Sequence, residues 1–95
     1  MKLVDTKQSP EGVLTITLND PKKRNKLGIA MFDAIDSAIK SCDDTINCVL
    51  LCGEGPVFCA GFDMHACTED LDLIGVYINR LSVLVRGLRR LSVPV

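Results

Sequence analysis

Residues 58–64, with the sequence FCAGFDM, are the segment whose residue types and spacing best suit chemistry. An apolar stretch runs into the small residues Ala60 and Gly61 and then into the expected start of a helix at residues 62–63. Small side chains let a ligand approach the backbone closely, and the first turn of a helix leaves N–H groups without partners. Such groups can stabilise a developing oxyanion, as acyl chemistry requires. The alternative is an ordinary strand-to-helix turn, which the residues alone favour.

His65 and the five cysteines raise two further kinds of chemistry. Cys59, His65 and Cys67 could ligate a metal ion, but the chain lacks the paired, closely spaced ligands of most zinc sites. A nucleophilic thiol would need His65 beside a cysteine and a third group that orients it, and the sequence does not bring these together. Because the number of cysteines is odd and no pair has C-x-x-C spacing, we expect free thiols and no metal.

Charge is unevenly distributed along the chain, although the net charge is only −1. Residues 1–26 carry six Lys or Arg against three acids, residues 27–72 carry one Lys against nine acids, and residues 73–95 carry four Arg. Either basic end could bind a phosphate-bearing small molecule. An equally favoured alternative is that these basic residues only lie on solvated helix faces. The acidic residues provide no acid–base candidate, because the sequence identifies none as buried.

Hydrophobic periodicity predicts the elements that must position these residues. Alternation over residues 13–19 predicts a half-buried strand, with Val4–Gln8 as its hairpin partner. An apolar stripe predicts a helix over residues 27–42 with Gly28 as its N-cap, and residues 48–52 are typical of a strand buried on both faces. A strand, a helix and a buried strand in succession indicate a βαβ crossover.

The C-terminal part of the chain is predicted to form a long amphipathic helix followed by a further strand. Gly87 marks a weak point in this helix, since glycine is a poor helix former. Residues 92–95 leave the helix at Pro94 and are typical of the start of another buried strand. The predicted apolar stripe of the helix consists of residues spaced three or four apart, namely Leu71, Ile74, Ile78, Leu81, Leu84, Leu88 and Leu91.

Composition excludes several classes of protein. The 95 residues are 47% hydrophobic, which is too apolar for a disordered chain, and no apolar run approaches the about 20 residues that cross a bilayer. The first residues lack the apolar core of a signal peptide, so we expect a cytoplasmic protein with no membrane partner. Aromatic residues make up 4% and tryptophan is absent, which disfavours nucleic-acid binding by base stacking. The apolar content is also high for a free-standing domain of this size, which indicates faces that something outside the chain covers.

Four landmarks that follow one another in register resemble the crotonase superfamily, the enoyl-CoA hydratase/isomerase family. Residues 12–21 resemble the family's early strand and its Asn-x-Pro exit, and residues 25–27 (Asn-Lys-Leu) are similar to its Asn-Ala-Leu entry into the first helix. Residues 48–55 resemble its buried strand and glycine loop, and residues 58–64 resemble its signature F-[CSA]-[AS]-G-x-D-[LIM].

The resemblance implies an α/β fold of the crotonase-like (ClpP/crotonase) type, a spiral of ββα units, of which residues 1–95 would be the truncated N-terminal part of a single domain. It implies an acyl-CoA thioester as substrate, no cofactor besides the coenzyme A of that substrate, and homotrimers or dimers of trimers. It places the family's second oxyanion donor and its acid–base carboxylates after Val95. The chain would then supply half of an oxyanion hole and no catalytic base.

The resemblance also assigns roles to particular residues. The backbone N–H of Phe62 falls where the family has one of its two oxyanion-hole donors. The stretch that lines the adenine and pantetheine path of coenzyme A corresponds to Ala60, Gly61, Asp63, Met64 and His65. The loop that approaches the coenzyme A phosphates carries Lys22, Arg24 and Lys26. Lys26 replaces the usual Ala. Phe62 replaces the usual Ala or Gly, and because its side chain is larger we expect a narrower acyl pocket here.

Three hypotheses of function follow from the sequence. The first is a segment of an enzyme that hydrates or isomerises an enoyl-CoA in fatty-acyl-CoA metabolism. The second is a non-catalytic, truncated module that oligomerises or binds coenzyme A. The third is a thiol or metal module. The sequence does not determine which acyl chain is bound, nor does it decide among hydratase, isomerase, dehalogenase and hydrolase chemistry.

Overall fold

A three-stranded mixed sheet organises the fold in the computed structural model, which describes residues 2–95. Strands β1 (Val4–Gln8), β2 (Val13–Leu18) and β3 (Cys48–Gly53) lie in the order β1-β2-β3. Strand β1 is antiparallel to β2, and β3 is parallel to β2. The strand and the hairpin partner predicted from the alternating sequence are therefore both confirmed.

Helix α1 (Ile29–Lys40) makes the crossover between the parallel strands β2 and β3, as predicted for a βαβ unit. Leu14, Ile16 and Leu18 of β2 are buried in one hydrophobic core with residues of α1. The intervening residues of β2 are only half-buried. The alternation in the sequence therefore reflects one face of the sheet packing against the helix.

Helix α1 begins two residues later than the helix predicted over residues 27–42. Gly28 is the N-cap, as predicted, and its backbone is extended. Leu27 instead forms a single parallel β-bridge with Phe62. The prediction of the start was wrong because Leu27 is paired with a segment that is distant in the sequence, and periodicity reports only local structure.

Strand β3 is buried on one face only, so the prediction of a strand buried on both faces is wrong. Val49 is 1% exposed, whereas Leu50 is 51% exposed. Leu50 is in register with Thr15, and both side chains belong to the sheet face opposite the core that contains α1. The described residues leave that face uncovered at Leu50.

Helices α2 (Met64–Glu69) and α3 (Asp72–Arg89) follow the sheet, and α3 packs against α1. Helix α3 continues through Gly87, so the weak point predicted there does not interrupt it. No helix within residues 2–95 is long and apolar enough to cross a membrane. The cytoplasmic location stays a prediction.

The predicted stripe of leucine and isoleucine is correct at its C-terminal end only, where Leu84 is buried and Leu88 and Leu91 pack against the core. Leu71 and Ile78 belong to that stripe and are exposed. On the packed side, the Arg80 guanidinium donates hydrogen bonds to Asp33 Oδ1 and Asp36 Oδ2 of α1, at 2.8 and 3.0 Å. In the N-terminal half of α3 the buried residue is Tyr77, which a stripe made only of leucine and isoleucine omits.

Residues 92–95 lie alongside β3 but do not form the predicted strand. The Val49 N–H donates a hydrogen bond of 2.8 Å to the Pro94 carbonyl. Proline has no N–H of its own to extend a ladder. This hydrogen bond places the end of the chain next to the sheet without making it a fourth strand.

Candidate functional site

The backbone N–H of Phe62 lies on the outer side of a short parallel pairing. The Leu27 N–H donates to the Gly61 carbonyl at 2.7 Å, and the Asp63 N–H donates to the Leu27 carbonyl at 2.8 Å. In a parallel bridge these two bonds flank Phe62, whose own N–H and C=O point the opposite way. Within residues 2–95 the Phe62 N–H donates no hydrogen bond. A backbone N–H without an internal partner is the feature that an oxyanion donor requires.

Gly61 sets the backbone direction just before this N–H. Its φ is +97°, a conformation that side-chain-bearing residues rarely adopt, and a Cβ placed there would meet nothing within 4 Å. The surroundings are therefore open, and only the backbone angle demands glycine. Open space beside the backbone agrees with the expectation that a ligand approaches closely here.

Asn25 holds together the loop that pairs with this segment, although it was not among the predicted site residues. It is fully buried and has a positive φ of 56°. Its Oδ1 accepts a hydrogen bond from the Asp20 N–H at 2.8 Å. Its Nδ2 donates to the carbonyls of Glu54 and Val57 at 3.1 and 2.9 Å. One side chain thus joins the exit of β2 to the loop that follows β3.

The neighbouring backbone extends this connection to the site. The Ala60 N–H donates to the Arg24 carbonyl at 2.9 Å, so residues 24–27 and 60–63 run side by side. Asparagine tolerates the left-handed conformation better than most residues do. An asparagine directly after a basic run and before an apolar stripe was therefore a usable indication of a structural role.

The aromatic ring of Phe62 packs between helices α1 and α3. Its centroid lies 6.5 Å from that of Phe32 and 5.7 Å from that of Tyr77. Burial raises the pKa of the Tyr77 phenol, and the Asp63 carboxylate adds to this shift, so the phenol is neutral near pH 7. The bulk of Phe62 is thus accommodated in helix packing. Narrowing of an acyl pocket by this ring stays a prediction.

Asp63 is the acidic residue nearest to this donor in the sequence, and both of its carboxylate oxygens are engaged. Oδ1 accepts a hydrogen bond from the Ala66 N–H at 3.2 Å, which caps α2, and Oδ2 lies 3.3 Å from Lys26 Nζ. Burial alone would raise the pKa of Asp63, but the Ala66 N–H and the Lys26 ammonium outweigh burial and hold this pKa below its usual range. Asp63 is therefore ionised near neutral pH and is poorly suited to donate a proton.

Asp63 should also make the stability of the chain depend on pH in the acidic range. Because its pKa is lower in the folded than in the unfolded chain, its stabilisation is fully present above about pH 4 and is lost as the pH falls through the folded pKa. We expect the urea midpoint to fall more steeply on acidification for the wild type than for Asp63→Asn, which does not titrate.

The comparison isolates Asp63 from the other carboxylates. The pKa of Asp43 is also lowered, by hydrogen bonds from Thr45, but Asp43 titrates in both proteins and its effect cancels. The amide oxygen of Asp63→Asn can still cap α2. Parallel pH curves for the two proteins would contradict the assignment.

The other predicted site residues differ in how far they are exposed. Lys22 and Arg24 are exposed, whereas Lys26 is half-buried in its ion pair with Asp63. Ala60, Met64 and His65 are exposed. The His65 imidazole lies 3.6 Å from Glu69 Oε1 on the surface of α2.

The structure does not support a thiol or metal centre in the part of the chain that it describes. All five cysteines are free thiols. Cys59 Sγ accepts a hydrogen bond from the Gly61 N–H at 3.4 Å, whereas the imidazole of His65 faces Glu69. Residues 2–95 contain no group of three or more His, Cys, Asp or Glu side chains that could hold a metal ion.

An apolar cavity of about 290 Å³ lies next to the paired segments, between the sheet, α1 and α3. Leu27 of the β-bridge and Cys59, three residues before Phe62, both form part of its wall. A cavity with this lining suits a hydrocarbon group rather than a polar one. The cavity is lined by Leu18, Leu27, Ile35, Leu51, Phe58, Cys59, Leu81, Leu84, Val85 and Leu88.

The fold is that of part of a crotonase-like α/β protein, as comparison with solved structures shows. The crystal structure of human enoyl coenzyme A hydratase domain-containing protein 3 matches with a TM-score of 0.87 and 27% identity, covering 97% of this chain and 38% of that protein. The enoyl-CoA hydratase of Mycobacterium smegmatis matches with a TM-score of 0.89 and 28% identity, covering 97% of this chain and 37% of that one. The predicted fold is thus confirmed.

Sequence comparison then identifies the family. Residues 13–74 match the family described as enoyl-CoA hydratase/isomerase, and the chain belongs to that family. It is 37% identical over 92 residues to the 1,2-epoxyphenylacetyl-CoA isomerase of Escherichia coli, covering 90% of this chain and 35% of that protein. It is 34% identical over 86 residues to the probable enoyl-CoA hydratase echA6 of Mycobacterium tuberculosis, covering 90% and 34%. The chain therefore spans about a third of the length of these relatives.

Proposed function

We propose that this chain binds the thioester end of an acyl-CoA, with the Phe62 N–H as one of two donors that stabilise the enolate oxygen. The observation that carries the proposal is the unpaired Phe62 N–H beside the Leu27–Phe62 bridge. A thioester carbonyl gains negative charge on its oxygen when a proton leaves the α carbon or a nucleophile adds to the double bond. A fixed N–H that points at this oxygen lowers the barrier to either reaction.

The coenzyme A moiety is proposed to lie across the exposed surface on either side of this donor. Lys22 and Arg24 are exposed cations on the loop that pairs with residues 60–63, and cations on such a loop suit phosphate groups. The adenine and pantetheine are proposed to contact the half-buried Gly61 and the exposed residues Ala60, Met64 and His65. The acyl chain is proposed to enter the apolar cavity near Cys59.

For the whole protein we propose an enoyl-CoA hydratase or isomerase of fatty-acyl-CoA metabolism. The support is family membership and the names of the relatives, which are hydratases and an isomerase of CoA thioesters. Hydration or double-bond migration needs a positioned acid or base, and Asp63, with its lowered pKa and two engaged oxygens, does not provide one. The relatives are about three times as long as the matched segment, which leaves room for these groups outside it.

A second candidate function is a module that assembles with other subunits, as the proposed trimer or hexamer requires. The observation that favours it is a set of large exposed apolar side chains spaced four, three and four residues apart, and so on one side of α3, namely Ile74, Ile78, Leu81 and Val85. Contiguous exposed apolar surface is typical of interaction sites. Light scattering coupled to size exclusion separates the candidates, because a stable monomer at high concentration would argue against the assembly module.

Binding of a thioester and of the matching thioether tests the proposed donor. Butyryl-CoA has a carbonyl oxygen, whereas S-butyl-CoA has the same chain length and none. We expect calorimetry to show that the chain binds butyryl-CoA about fivefold more tightly, as one neutral hydrogen bond to a backbone N–H contributes about 1 kcal/mol. Equal affinities for the two ligands would contradict a role for an oxyanion donor in binding.

A further inference from the structure

Lys26 and Asp63 form an ion pair across the Leu27–Phe62 bridge. Lys26 Nζ lies 3.3 Å from Asp63 Oδ2, and the two side chains are 33% and 18% exposed. Lys26 directly precedes Leu27, and Asp63 directly follows Phe62. The ion pair therefore joins the two backbone segments whose pairing orients the Phe62 N–H.

Asp63 links three parts of the site through separate atoms. Its backbone N–H donates to the Leu27 carbonyl at 2.8 Å, and its Oδ1 accepts from the Ala66 N–H at 3.2 Å. Its Oδ2 faces the Lys26 ammonium. Movement of the Asp63 carboxylate would therefore disturb the bridge, the start of α2 and the intervening Phe62 N–H together.

We propose that Lys26 is a positioning residue that holds the Phe62 N–H in place through Asp63, and that it is not a ligand of the coenzyme A phosphates. The inference rests on the proposed function of Phe62. The negative charge of the half-buried Asp63 carboxylate partly cancels the attraction of the Lys26 ammonium for a phosphate. Lys26 therefore attracts a phosphate less strongly than an exposed lysine does. Lys22 and Arg24, which are exposed, keep the phosphate-binding role.

Hydrogen exchange of the Asp63 N–H tests the positioning role without a ligand. This N–H is protected by its bond to the Leu27 carbonyl, so its exchange rate reports opening of the bridge. We expect Lys26→Met, which keeps an unbranched apolar side chain but no charge, to raise this rate by up to about fivefold, as a partly exposed ion pair allows. Lys26→Arg should restore the wild-type rate. Lys22→Met, the matched loss of a charge from the same loop, should leave the rate unchanged.

The affinity for free coenzyme A should rank Lys22→Met and Lys26→Met in the opposite order from the exchange rate. Lys22→Met should weaken binding of coenzyme A by about threefold, whereas Lys26→Met should leave it unchanged and lower only the preference for butyryl-CoA over S-butyl-CoA. An unchanged Asp63 exchange rate in Lys26→Met would overturn the proposal, and so would a loss of coenzyme A affinity equal to that of Lys22→Met. If the wild type binds no CoA compound, the proposed function fails, and the exchange rates still decide the role of Lys26.

Discussion

Replacing Asn25 with alanine is expected to lower the free energy of unfolding by about 3 kcal/mol. The substitution leaves the Asp20 N–H and the carbonyls of Glu54 and Val57 without the side-chain partner they have now. The bond to the Asp20 N–H is buried and the two bonds to the carbonyls are partly buried, and the loss of each costs about 1 kcal/mol. Alanine also tolerates the positive φ of position 25 less well than asparagine does. A loss of this size is a large fraction of the stability of a small domain.

Urea denaturation followed by circular dichroism measures this loss, and Asn19→Ala is the matched control. Asn19 lies just after β2 and is half-buried, and its side chain makes one hydrogen bond of 3.3 Å to the Lys2 carbonyl. We expect its loss to cost about 1 kcal/mol or less. Equal effects of the two substitutions would show that Asn25 does not join the two loops as the structure indicates.

Replacing Phe32 with alanine is expected to cost about 3–5 kcal/mol, the range for removing a buried phenylalanine. Phe32 is 0% exposed. Its ring contacts Phe62 and Tyr77, with centroids 6.5 and 6.1 Å away, and the Arg80 guanidinium lies 5.5 Å above it. The cavity left by the ring would remove the support of both the Phe62 side chain and the α1–α3 contact.

The matched control for this substitution is Phe58→Ala. Phe58 is 52% exposed, so its removal creates no closed cavity, and we expect a change in unfolding free energy of about 1 kcal/mol or less. Urea denaturation of both variants gives the comparison. A larger loss for Phe58→Ala than for Phe32→Ala would contradict the placement of Phe32 at the centre of the aromatic cluster.

Local periodicity predicted those elements whose burial follows from one neighbouring layer. Strand β2 alternates because only one of its faces packs on α1, and the βαβ connection follows from the order of the elements. It failed where a distant contact decides the outcome. Leu27 leaves the helix because it pairs with Phe62, and the N-terminal half of α3 packs through Tyr77 and Arg80 rather than through Leu71 and Ile78.

The candidate site, like the fold, could be predicted from the sequence only in part. Resemblance to the family pointed to the Phe62 N–H, and the structure places that N–H outside the hydrogen bonds of the neighbouring bridge. The same resemblance gave Lys26 a phosphate-binding role. It could not predict the Lys26–Asp63 ion pair, because the family usually has alanine at position 26. The role of Asn25 depends on carbonyls 29 and 32 residues away, which no local pattern reports.

The central claim, that the Phe62 N–H binds a thioester oxygen, is tested most directly by NMR of the chain labelled with ¹⁵N-phenylalanine. The chain has three phenylalanines, so the spectrum has three backbone signals and two internal controls. The Phe32 N–H already donates to the Gly28 carbonyl at 3.0 Å, and Phe58 lines the cavity proposed for the acyl chain, which both ligands carry. On titration with butyryl-CoA we predict a downfield shift of the Phe62 amide proton that S-butyl-CoA does not produce. The Phe32 signal should be much less affected, and the Phe58 signal should respond equally to the two ligands. A Phe62 signal that responds equally to both ligands, or that stays in place while butyryl-CoA binds, would contradict the claim.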